Sequence, residues 1–424
     1  MAQLSDRILQ DVTSFFVASQ DFNGMPVGVL QERLEVTTED LMPAIRSLLE
    51  GGMVVPAFYS HQGNHHILRL EPPPLSEQLR LLEREAVDNV ALYPPRDALL
   101  ARSDLSLFDG QPFTRRLALG EPQLTPVFFE LRVLDQYHRD PRYEFDFGEY
   151  SGMLTIRDDA YLSAETPSRD KVILQSFGIA YDQKGRRVVA AFLRYLRDLT
   201  SAHQAIWSAH QIEGPCVMNS DYRDATLLGR WPRHRSAYSA LLAEMVEICK
   251  LSALIGKPSL FRRTWEQGRP QGFQPMLRPT TRSLEDFVHV LDKMISENID
   301  REFFKGDLPL EDSRERSDGQ SVVTTPGTLT LLERWLSKLY RTADGQDIAA
   351  EVLAPLNVIR KRRQAPAHRL TEDTYDEELP GQQDALVGDL VRGLTTLRQI
   401  LSSHPRARSY SAPEWLDGDN IVFY

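Results

Sequence analysis

VGVLQERLEVTTEDLMPAIRSLLEGGMVVPAFYSHQGNHHILRL, residues 27–70, carries the most legible pattern in the chain. Val27, Leu30 and Leu34 fall on one helical face. Thr37 or Thr38 can cap a second helix, whose first turn holds Glu39 and Asp40. That helix bears Leu41, Ile45, Leu48 and Leu49 and stops at Gly51-Gly52. MVVPAFY and HHILRL then read as two strands joined by the polar turn SHQGN. Upstream, Leu4, Ile8, Leu9, Val12, Phe15 and Phe16 recur at helical spacing, with Ser5 near the start. Asn23-Gly24 and Pro26 break that helix.

Three helices followed by a hairpin resemble a winged helix-turn-helix domain over residues 1–72, about a sixth of the chain. The resemblance implies DNA binding through the helix Thr38–Glu50. Charge points elsewhere. Residues 1–70 hold four Arg against eight acidic residues, and Arg46 is the one base on the reading helix. Duplex affinity comes largely from phosphate neutralisation, so protein–protein contact or dimerisation suits this unit better than DNA. His61, His65 and His66 read as a polar loop rather than a metal site.

Glu71-Pro-Pro-Pro74 reads as a stiff linker, and Leu75–Leu92 as a helix that Pro94-Pro95 ends. Residues 73–235 read as this linker helix and a mixed α+β domain. Tyr143–Phe147, Met153–Ile156 and Val172–Ala180 are strand-like, Asp182–Gly185 is a turn, and Val188–Leu199 is read as helix. Residues 236–304 form a helical segment with helices at Tyr238–Ile255 and Leu284–Phe304. Between them, Arg262, Arg263 and Arg269 interleave with Phe261, Trp265 and Phe273. Basic and aromatic groups together can bind single strands, and equally can be a Pro/Gly loop packed on a helical domain. Residues 305–325 are polar and poor in large apolar groups, so they read as a flexible linker. Residues 326–405 read as three amphipathic helices with short loops, an antiparallel bundle, followed by a tail at 406–424 whose apolar end, Ile421–Tyr424, suits docking to the chain itself or to a partner. The expected fold is multidomain and predominantly α with an α+β middle.

Composition narrows the function classes. Net charge is −11 over 424 residues, against a protein that coats nucleic acid by bulk charge. The bases comprise 41 Arg and 8 Lys, a bias that codon usage or a demand for forked phosphate contacts could each produce. Two cysteines, Cys216 and Cys249, allow no disulfide framework. No apolar run reaches 18 residues and the start lacks a signal-peptide pattern, so the expectation is cytoplasmic, with no membrane contact. Gly-rich phosphate loops, GxSxG and HExxH are absent, and neither a metal nor a cofactor is expected. Asp182-Gln-Lys184 has the spacing of a restriction-type nuclease pair but no upstream acid to complete it.

The second helix of the bundle ends in LNVIRKRRQAPAHRL, residues 356–370. An Arg, four to six residues, then a His, late in a helix of a small bundle, resembles the HEPN superfamily of ribonucleases and nucleotide-binding bundles. The resemblance covers about 80 residues. It implies a homodimer that cuts RNA without metal, the ribose 2′-hydroxyl attacking its own phosphate. His368 would then be the general acid/base and Arg363 the phosphate clamp, with Arg360, Lys361, Arg362 and Gln364 on the RNA backbone. Such spacings also arise by chance in an Arg-rich chain: Arg132/His138, Arg197/His203, Arg282/His289 and Arg398/His404 share it. Pro366 disturbs the helix between the pair, and a basic cluster at a helix end also serves as a C-cap.

A winged helix joined to an HEPN-like bundle suggests, by fold analogy alone, a bacterial stress or phage-defence protein. Three functions stay open: an endoribonuclease, an adaptor that binds a partner from the same operon, and a DNA-binding regulator.

Overall fold

The computed structural model describes residues 2–19, 21–68, 71–315, 321–340, 348–364, 372–416 and 420–424. They form a helix-rich fold of two compact units, Met1–Phe145 with Met153–Arg223, and Asp146–Gly152 with Asp224–Tyr424. No described helix is long and apolar enough to cross a membrane.

The first unit opens with α1 (Ala2–Ala18), β1 (Met25–Pro26), α2 (Val27–Leu34) and α3 (Thr38–Glu50). Thr37 caps α3, its side chain accepting from the Asp40 N–H at 3.2 Å. β2 (Val55–Phe58) follows, then the single turn α4 (Tyr59–Gln62), α5 (Leu75–Arg84) and β3 (Val90–Tyr93). These strands make an antiparallel sheet in the order β1-β3-β2. The strand paired with β2 is therefore Val90–Tyr93; in the stretch the hairpin reading expected as its partner, His65–Leu68 form no strand, and Arg69 and Leu70 lie outside the described residues. Val90–Tyr93 is a run of four buried apolar residues, whereas His61 and Asn64 are exposed. The expected helix over 75–92 accordingly ends at Arg84. One core joins α1–α3 to Leu81, Leu82, Val90, Leu92 and Ala98, so no boundary falls at residue 72.

The rest of this unit holds α6 (Arg96–Arg102), α7 (Pro112–Ala118), β4 (Pro126–Phe129), α8 (Asp135–Arg139), β5 (Tyr143–Phe147), β6 (Ser151–Ile156), α9 (Asp158–Leu162), β7 (Ile173–Tyr181), β8 (Arg187–Phe192), α10 (Leu193–Leu196), α11 (Ser201–Ala209) and β9 (Val217–Met218). Its sheet runs β4-β8-β7-β6-β5, with β9 also on β7. Residues 188–192 are a central strand rather than the expected helix. All five are buried, and they pair antiparallel with both β4 and β7. A strand covered on both faces loses its alternation and reads like a buried helix. The turn before it is as expected: Asp182 Oδ1 accepts from the Lys184 and Arg186 N–H groups, and Gly185 takes φ +74°.

Helix α12 (Ser220–Leu228) carries the chain into the second unit. There β10 (Arg235–Ser236) leads into α13 (Ala237–Leu254) and α14 (Thr281–Met294). β11 (Asp312–Glu315) and β12 (Ser321–Thr324) pair antiparallel within the stretch read as a flexible linker. Then come α15 (Thr328–Leu339), α16 (Ala349–Gln364), α17 (Leu379–Ser402) and β13 (Ile421–Val422). A single core runs from Ala237 to Leu416, so the expected helical segment, bundle and tail are one body. The chain end docks on the same unit, β13 lying parallel to β10. Gly393 of α17 faces Pro355 of α16, where a Cβ would come within 2.8 Å of the proline ring. Glycine here is the condition for these two helices to approach.

Candidate functional site

The end of α16 is where the bundle reading places its chemistry. Ala349, Val352, Leu353, Leu356 and Ile359 bury one face of the helix and set the last turn beside α14. Arg363 Nη1 lies 2.5 Å from Asp292 Oδ2 and also bonds Glu297. Asp292 is fully buried, and its second oxygen has no partner. The two carboxylates hold the Arg363 guanidinium above the ordinary arginine range, Asp292 contributing most. The forked cation expected to clamp phosphate is thus engaged by acids of its own fold. Arg360, Lys361, Arg362 and Gln364 make no ion pair among the described residues, and Lys361, Arg362 and Gln364 are exposed. His368 lies outside the described residues, as does Pro366.

Sequence reasoning did not find Asp292 or Glu297. The signal was present: Asp292 sits on the stripe made by Leu284, Phe287, Val288 and Leu291. An acid on an apolar stripe calls for a cation, because an unpaired buried charge is costly.

The basic-aromatic loop divides in two. Arg269, side chain 14% exposed, donates to Glu149 Oε1 at 3.1 Å and to Ser239 Oγ at 2.8 Å. Glu149 also accepts from the Ser236 N–H and hydroxyl at the start of α13. Phe261 and Phe273 are buried in the core. Arg263 stacks over Trp265 at 5.5 Å, Trp265 is half-buried against the core, and the exposed Arg262 donates to the Glu297 carbonyl at 3.3 Å. The loop is mainly a packed connection, with Arg269 as a structural cation.

Arg46 on α3 is similarly occupied. Its guanidinium bridges Glu50 at 3.1 Å and Glu83 at 2.5 Å. The candidate reading helix presents its one base already paired with two acids.

The other Arg/His spacings dissolve into local structure. Arg398 pairs with buried Glu244, and His404 accepts the Arg406 N–H. His203 ends a buried chain in which Trp207 Nε1 donates to Tyr137 Oη at 3.0 Å and the Tyr137 hydroxyl lies 2.5 Å from His203 Nδ1. With the indole N–H on its oxygen, the tyrosine hydroxyl points its proton at His203, whose Nδ1 then accepts as neutral imidazole. Burial holds His203 and His138 below the ordinary histidine range. The folded chain therefore binds fewer protons than the unfolded one. The stability these histidines contribute is complete above the ordinary histidine pKa and is lost as pH falls through and below it. Thermal unfolding followed between about pH 7 and about pH 5 should show a falling midpoint, with a shallower fall in His203→Gln. An equal slope in the two proteins would show that His203 does not carry the effect.

Among the described residues, no group of three or more His, Cys, Asp and Glu could hold a metal ion. Comparison with models of protein families, with curated proteins and with solved structures found no match to this chain.

Proposed function

We propose that the chain is a non-catalytic adaptor or regulator that works through protein–protein contacts. One observation carries this reading: Arg46, Arg269 and Arg363, three arginines the sequence offers to nucleic acid, are each held by carboxylates of the same fold. An arginine already neutralised gains little from a phosphate, because the new contact must first break the old one. Helices α1–α3 packed with an antiparallel sheet of order β1-β3-β2, with α4 and α5 between β2 and β3, support a winged-helix-like N-terminal module. Its acidic surface and paired Arg46 suit a protein partner better than DNA.

A second reading, the metal-independent ribonuclease, keeps one observation in its favour. Arg360, Lys361 and Arg362 stand without ion-pair partners among the described residues, on the turn that leads to His368. One experiment separates the two. Purified protein is incubated with RNA in EDTA, wild type beside His368→Ala, and the wild type is also isolated with its neighbouring gene products co-expressed. The adaptor reading expects intact RNA and stable co-elution of a neighbouring product. RNA cleavage that disappears in His368→Ala would replace it with the ribonuclease.

A further inference from the structure

A cleft of about 680 Å³ opens in the first unit where β7 begins and β8 turns into α10. Antiparallel pairing of β7 with β8 brings Lys171, just before β7, and Arg194, just after β8, to the same end of the ladder. Both line the cleft, and neither has an ion-pair partner among the described residues. Each instead covers an aromatic face: Lys171 Nζ lies 5.1 Å from the centre of the Tyr161 ring, and the Arg194 guanidinium 5.4 Å from that of Tyr195. Tyr161 remains 46% exposed, so part of its ring is open to a second group.

The floor is built rather than incidental. Gln123 is 5% exposed and bonds both walls. Its side chain accepts from the Leu68 N–H at 2.9 Å and donates to the Phe22 carbonyl at 2.9 Å, and its own carbonyl accepts the Arg194 N–H at 3.0 Å. The cleft also contains Asp21 and Asp198, but Arg197 pairs with both, at 3.0 and 3.1 Å. Lys171, Arg194 and Arg197 thus face two acids, a net charge of +1 among these five groups, and Lys171 and Arg194 are the two cations with no acid at ion-pair distance. The cleft's volume lies within the range of small-molecule pockets.

We propose that this cleft binds a small nucleotide, its phosphate between Lys171 and Arg194 and its base against Tyr161. Two cations with no acid at ion-pair distance, in a cleft whose cations outnumber its acids, favour an anion. An open aromatic face beside them selects a flat ring on that anion rather than a bare phosphate or a sugar phosphate. The proposal goes beyond the adaptor reading and does not depend on it, since it predicts a ligand under either function.

The test is calorimetric titration of the full chain with each of the four ribonucleoside triphosphates and with inorganic phosphate. At least one nucleotide should saturate, more tightly than phosphate. Lys171→Gln and Arg194→Gln should each weaken that nucleotide about tenfold, and Tyr161→Ala should weaken the nucleotide but not phosphate. Arg194 is exposed, so Arg194→Gln should melt like the wild type and keep the test readable if another variant fails to fold. No saturation by any nucleotide up to on the order of 1 mM would overturn the proposal. So would an affinity unchanged in Arg194→Gln, or phosphate binding as tightly as every nucleotide.

Discussion

Arg398→Ala should lower the unfolding midpoint of the helical unit by roughly 10 °C, an expected loss of about 3–5 kcal/mol. Arg398 lies on α17 between Leu394 and Leu401, with its side chain 4% exposed. Its Nε is 2.7 Å from Glu244 Oε2 on α13, and Glu244 is fully buried. The Thr395 hydroxyl donates to the other Glu244 oxygen, also at 2.7 Å. Removing the guanidinium strands a carboxylate in the core between these two helices. The net worth of the intact pair is much smaller, because desolvating both charges offsets most of their attraction. The double exchange Glu244→Leu with Arg398→Met should therefore melt near the wild type. Circular dichroism melts of the single and double variants check both statements. A single variant within about 2 °C of wild type would mean that water or another cation reaches Glu244.

Arg363→Ala should cost about 2 kcal/mol, a fall of roughly 4–8 °C in the same melt. The cause is the same, an orphaned acid. The effect is smaller because Arg363 is one-third exposed and solvent screens part of the interaction. Asp292 already has one oxygen without a partner, so losing Arg363 leaves it wholly unsatisfied. This sets the account apart from the phosphate-clamp expectation. A clamp residue kept free for substrate can be truncated with little effect on stability, and its loss is felt in the reaction.

The sequence is legible where helices are amphipathic and capped. The positions of α2, α3, α13 and α17 follow from apolar spacing, and the ends of α3 from Thr37 and Gly51. It is opaque where burial is complete. Val90–Tyr93 and Val188–Phe192 are apolar throughout because both faces are covered, and each was read as part of a helix. The strand pair β11 and β12 escapes for the opposite reason, lying in a stretch that is polar and charged for most of its length. Its one signal was the β-branched run Val322-Val323-Thr324. For the candidate site, the basic cluster was visible and its partners were not. Asp292 lies in another helix, and only its place on an apolar stripe marks it as a core acid in need of a cation.

A thermodynamic double-mutant cycle on Arg363 and Asp292 asks whether this arginine belongs to the fold or to a substrate. Wild type, Arg363→Ala, Asp292→Asn and the double variant would be unfolded in denaturant under one set of conditions. The account predicts a favourable coupling of at least about 1 kcal/mol, with the double variant more stable than the sum of the single losses implies. Coupling near zero, with Arg363→Ala as stable as wild type, would contradict it and return Arg363 to the surface as a free cation.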